Sequence, residues 1–210
     1  MPFDSESFAA RRPYLFHLTA RRNVDPIRAS RRLHSMVVLA RKAGRGDLLD
    51  VRRREHVRLS VEGKEVHIRD QAPLHEKNMC LEDGWTFPQF VRHLNERVFF
   101  WPGGASGPIP YGLRHFGRYR EERPVLLRIP TEDLFAANHG VRPLYCRYNS
   151  GSPRWSRGVA SPRGPSTFSP SEQATFPPAS VVEVAFVRGA VLPSSSELGN
   201  GPSGPWRRLF

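Results

Sequence analysis

Apolar residues run through Tyr14-Leu15-Phe16 and on to Leu18, then give way to Thr19, Arg21 and Arg22. That run predicts a strand over residues 13–19, with His17 and Thr19 two apart and so on one face. From about 24 to 43, Ile27, Leu33, Met36, Val37 and Leu39 recur at helical spacing, which predicts one amphipathic helix or two short ones, closed by Gly44 and Gly46. Val57–Val61 and Glu65–Ile68 alternate apolar and polar around Glu62-Gly63, the pattern of a hairpin. Phe87, Phe90, Val91 and Leu94 follow Thr86, a capping residue, so residues 85–95 read as a helix. Arg97-Val98-Phe99-Phe100-Trp101 lacks alternation and reads as a central strand buried on both sides.

Further strands are expected at 125–130, 141–148 and 181–187, with Thr131 capping a short helical turn through Leu134 and Phe135. Residues 102–110 read as a Gly/Pro loop. Residues 149–180 are mostly Ser, Pro, Gly and Arg, which offer no regular core element. Strands outnumber helices and do not alternate with them, so the fold class is α+β. One domain over 1–195 is expected, with 196–210 a disordered tail.

Composition adds charge to this picture. The formal net charge is +12, and with only three lysines nearly all the positive charge is Arg, clustered at Arg11-Arg12, Arg21-Arg22, Arg31-Arg32 and Arg52-Arg53-Arg54. Such a balance attracts polyanions, DNA or RNA among them, although a general Arg bias on a solvated surface produces it equally. Cys80 and Cys146 form neither a disulfide framework nor a CxxC metal site. With no membrane-length apolar run and no signal peptide at the start, the chain reads as soluble and cytoplasmic.

The eight histidines show no HxH or HExxH spacing, so no metal is expected, and GxSxG, Walker and GxGxxG motifs are absent. What remains are polar residues in apolar settings. Arg69-Asp70-Gln71 follows a strand end, as does Asn149-Ser150-Gly151; an ordinary turn ion pair and an Asx turn explain these as well as a site does. Glu183 sits within Val181-Val182-Glu183-Val184-Ala185-Phe186, sharing a strand face with Val181 and Ala185. Either that face is wet, or the carboxylate lies at the base of a cleft, where it could bind a ribose hydroxyl or act as a general base.

Taken in order, these residues resemble the ADP-ribosyltransferase superfamily, in particular its DarT-like branch, which modifies nucleic acid. The chain resembles still more an uncharacterised bacterial domain family with the signatures IRDQxP, LNxRVFFW and NSG, here Ile68–Pro73, Leu94–Trp101 and Asn149–Gly151. His17, Thr19, Asn23 and Ile27 match the DarT-like opening pattern, while Ser30–Leu33 reads Ser-Arg-Arg-Leu where that pattern has Gly-Leu.

The resemblance implies an ADP-ribosyltransferase-like split β-sandwich or mixed sheets with flanking helices and long irregular loops. It implies NAD as substrate, contacted by His17, Leu18, Thr19 and Asn23, with Asn149 and Ser150 as further candidates. Glu183 would contact the nicotinamide ribose, and Arg69 would be the cation near the pyrophosphate. Two other readings stand beside this one: a non-catalytic binding module that kept the fold, and an RNA 2′-phosphotransferase-like enzyme.

Overall fold

The apolar run near the N-terminus forms β1 (Tyr14–Thr19) in the computed structural model, which describes residues 3–152, 155–156 and 159–210. Ahead of it lies α1 (Ser5–Arg11), capped by the Asp4 carboxylate, which accepts from the Glu6 and Ser7 N–H groups at 3.0 Å each. The helical period over 24–43 resolves into α2 (Val24–Ser30) and α3 (Met36–Lys42), separated by the short β2 (Arg32–His34). Arg31, at φ 50°, ends α2 in the left-handed region, and Ser35 caps α3. The hairpin is β3 (Val57–Val61) and β4 (Lys64–Ile68), with both turn residues, Glu62 and Gly63, at positive φ.

Thr86 and Gln89 form a capping box at the start of α4 (Phe87–Asn95), which leads into β5 (Arg97–Gly104). Then come β6 (Gly107–Pro108), inside the expected loop 102–110, and α5 (Pro110–Arg118), a helix begun by proline over residues for which no element was predicted. Next are β7 (Val125–Pro130), α6 (Thr131–Ala137) and β8 (Leu144–Cys146), the last shorter than the run 141–148. Thr131 does not cap α6; its hydroxyl donates instead to the Arg12 carbonyl, tying α6 back to α1. The short β9 (Trp155–Ser156) and β10 (Val159–Ala160) pair with each other within 149–180, whose other regular pieces are 3-10 turns. The chain closes with β11 (Glu183–Val187), β12 (Gly189–Val191), β13 (Glu197–Gly199) and β14 (Trp206–Arg208).

Residues 196–210 are therefore not a disordered tail. β13 pairs β7 and β14 pairs β13, while Leu198 and Leu209 are buried, so the apolar side chains spaced through the polar tail anchor it to the sheet edge. The main sheet runs β14-β13-β7-β1-β5-β11-β8, with every named strand pair antiparallel, and β6 added to β5. One face packs Leu15, Val98, Phe100, Val184 and Phe186 against Phe8 of α1, Ile27 of α2 and Leu134 of α6. A separate small cluster joins α3 to the β3–β4 hairpin through Met36, Leu39, Leu59 and Val61.

β5 does two jobs. Its end, Trp101–Gly103, pairs with Phe16–Tyr14 of β1, whereas Arg97–Phe100 pairs with Val187–Val184 of β11. Beyond Phe16, β1 leaves β5 and stays paired only with β7. The gap opened by that divergence is where the main cleft lies.

Candidate functional site

The cleft has a volume of about 490 Å³, within the range of small-molecule sites. Its inner end is built by β1, β5, the start of β11 and the 149–151 turn; its outer end lies between α2, β2, α3 and the β3–β4 hairpin. Register puts Glu183 of β11 on the same sheet face as Arg97, Phe99 and Trp101 of β5, because Val184 opposes Phe100. Of the aromatic triplet, Phe100 belongs to the core, while Phe99 and Trp101 line the cleft.

Glu183 is 4% exposed, at the cleft base. The Ser150 N–H donates to its Oε2 at 3.1 Å. Burial pushes its carboxyl up to about 7, opposed by the Ser150 hydroxyl and N–H and by nearby Arg163. Arg163 is itself 1% exposed, and its guanidinium donates to the carbonyls of Ser150, Ser152, Ser161 and Pro162, stacking on Tyr148 at 3.9 Å. This one side chain clamps the turn that presents Ser150 to Glu183.

His17 stands where β1 parts from β5, and its Nδ1–H donates to the Phe99 carbonyl across the gap at 2.9 Å. That bond fixes the tautomer and leaves Nε2 as an acceptor. Burial lowers His17 to about 4, so the ring is neutral at physiological pH. Leu18 and Thr19 also line the cleft. Asn23 lines it too, and its amide is held by protein: Nδ2 donates to Thr19 Oγ1 and the His67 carbonyl, and Oδ1 accepts from His67 N–H. It clamps β4 to the turn after β1.

Arg69 follows β4 and lines the cleft, its guanidinium stacked 4.9 Å from the Tyr119 ring centre. Tyr119 is held in place by Asp70, whose Oδ1 accepts from the phenol at 2.6 Å. Gln71 turns the other way and donates to Asn95 Oδ1, which also accepts from Arg53 Nη1 at 2.7 Å; Arg53 Nε in turn donates to the Arg69 carbonyl. Residues of Ile68–Pro73 and Leu94–Trp101 thus interlock through Asn95, and Asn149–Gly151 closes the same cleft opposite.

All the sequence-derived candidates, His17, Leu18, Thr19, Asn23, Arg69, Asn149, Ser150 and Glu183, line this one cleft. Sequence reasoning missed Arg53, Asn95, His115 and Tyr119, which line it as well, and Arg163 behind it. Arg53 lay hidden in a basic run that reads as surface charge, yet burial lowers its guanidinium to about 10. His115, packed 4.5 Å from the Trp101 ring, is lowered to about 3 by burial and by Arg69. Several buried donors without hydrogen-bond partners belong to cleft residues: Arg69 Nε and Nη2, Arg97 Nε and Trp101 Nε1.

No group of His, Cys, Asp and Glu among the described residues is arranged to hold a metal ion, and no helix among them is long and apolar enough to cross a membrane. The chain belongs to a family of unknown function, DUF7002, whose model matches residues 13–193. No curated protein and no solved structure matches it.

Proposed function

We propose that this DUF7002 member is an NAD-dependent ADP-ribosyltransferase with nucleic acid as its acceptor. The observation that carries the reading is the meeting of Glu183 and His17 in one cleft with Arg69. Strands far apart in sequence bring together a buried carboxylate, a neutral imidazole and a cation, the set such a transfer uses.

In this reading the ionised Glu183 accepts from a hydroxyl of the nicotinamide ribose, while Ser150 N–H holds the other edge of the carboxylate. As the glycosidic C–N bond breaks, nicotinamide leaves with the electron pair and positive charge develops on the ribose. The fixed carboxylate, itself buried at the cleft base, stabilises that charge. An acceptor nucleophile then bonds to the anomeric carbon and releases its proton. Arg69 offsets pyrophosphate charge, and the +12 balance favours a polyanionic acceptor.

The test incubates labelled NAD with the protein and single-stranded DNA, RNA or a protein mixture, comparing wild type with Glu183→Ala. Transfer to nucleic acid, lowered roughly 10²–10³-fold in the variant, is the expected result. Transfer unchanged by Glu183→Ala removes the catalytic assignment. NAD binding by calorimetry without turnover leaves a binding module, and no NAD binding overturns the reading altogether.

A further inference from the structure

A second cavity, of about 380 Å³, adjoins the cleft and shares Arg69 and His67 with it; Arg21, Arg22, His56 and Glu122 also line it. Its arginines outnumber its single carboxylate. Glu122 is already engaged, since its Oε1 accepts from His56 Nε2 at 2.8 Å. Arg22 reaches Glu65 in an exposed pair, and Arg21 donates to Asn200 Oδ1, so both remain at the rim.

The two Arg69 nitrogens without hydrogen-bond partners are Nε and Nη2. Their N–H groups lie parallel on the side edge of the guanidinium, the edge that grips two oxygens of one oxyanion. The carboxylate paired with it, Glu122, stands 3.9 Å from Nε, beyond hydrogen-bond reach. Glu122 lines the second cavity and not the cleft, so this edge lies on the second cavity's side of the guanidinium, where protein covers it. A buried fork with both prongs unpaired, bordering a niche rimmed by two further arginines, is complementary to a group that carries several oxygens and more than one negative charge.

We propose that this second cavity is a phosphate subsite, in which the side edge of Arg69 binds two phosphate oxygens and Arg21 and Arg22 offset the remaining charge. The subsite goes beyond the ADP-ribosyltransferase reading and stands without it. If both hold, one guanidinium separates a dinucleotide in the cleft from a phosphate of the acceptor strand.

His56 and His67 report on the niche, their rings 5.0 Å apart. At fixed pH, the imidazole nitrogen resonances of the full-length protein are followed while inorganic phosphate, a nucleoside monophosphate or a short single-stranded oligonucleotide is added. Saturable shifts of both imidazoles are expected, weakened about tenfold or more in Arg69→Lys, which keeps the charge but loses the fork, and severalfold in the exposed variant Arg22→Ser. Saturation by the oligonucleotide at lower concentration than by the monophosphate identifies a backbone phosphodiester as the source; the reverse identifies a mononucleotide. No saturable shift, or equal affinity in wild type and both variants, overturns the subsite. Glu183→Gln leaves the niche intact, so phosphate binding that persists while NAD binding fails separates the two readings.

Discussion

Glu183 carries a cost that its neighbours only partly offset. Its carboxyl titrates near 7 in the folded chain, against 4.5 for an unperturbed group, so between these values the folded protein holds a proton that the unfolded chain has lost. Stability contributed by this group is therefore full below about 4.5 and is lost as pH rises through 7. Glu183→Gln keeps the shape and can still accept from Ser150 N–H, without the buried charge. It should melt near wild type at pH 5 and above wild type at pH 8, by on the order of 2–3 kcal/mol, while losing transfer. Equal destabilisation at both pH values would show that the carboxylate is fully solvated or paired. In the wild type, transfer should rise with pH through about 7, as the carboxyl ionises. Both candidate anchors, His17 and Glu183, were legible in the sequence for one reason: each is a polar residue in an otherwise apolar strand.

What the strands do with those residues was less legible. Hydrophobic period placed β1, the β3–β4 hairpin, α4, β5, β7 and β11 close to their observed bounds, because each carries its own apolar face or its own turn and cap chemistry. It missed α5, whose only buried residue is Gly112, and the last two strands, whose few apolar residues are scattered among Ser, Gly and Pro. It also could not show that Asn95, at the end of α4, joins segments 24 and 42 residues away, since such hydrogen bonds leave no periodic trace. Asn95 accepts from Arg53 and Gln71 and donates to the Leu49 carbonyl at 3.1 Å. Asn95→Ala would strand a buried guanidinium and an amide, at a cost of about 2–4 kcal/mol, and loosen Arg69, whose carbonyl Arg53 holds. The measurement is chemical denaturation beside NAD affinity; a shift under about 0.5 kcal/mol would mean that water replaces the hub. Ending the chain at Ser195 uncovers the β7 edge along Leu126–Arg128 and should give an aggregating protein, read as loss of monomer by size exclusion.

Over the whole molecule, half-buried histidines set the response to acid. Burial lowers His17 and His93 to about 4 and His115 to about 3, against 6.5 for a free imidazole. Groups lowered in the folded state contribute stability above 6.5 that is lost as pH falls toward their folded values. Glu183 acts in the opposite sense over 4.5 to 7, but it is one group against these three, and His34 and His67 are lowered as well, so near pH 5.5 unfolding takes up about two net protons or more. Each is worth about 1.4 kcal/mol per pH unit, with His93 contributing less because it is partly open to solvent. Stability should therefore fall by roughly 2 kcal/mol per unit between pH 6 and 5, as followed by urea midpoints at matched ionic strength. His115→Phe, which keeps a ring against Trp101, should shallow that slope by about one proton; an unchanged slope would mean that its imidazole charges in place. The +12 net charge adds to the same trend, because protons taken up by an already basic chain increase self-repulsion in the compact state. A polyanion bound at the niche beside the cleft would relieve that repulsion, so single-stranded DNA should raise the midpoint at pH 6 more than at pH 8, and added salt should erase the difference.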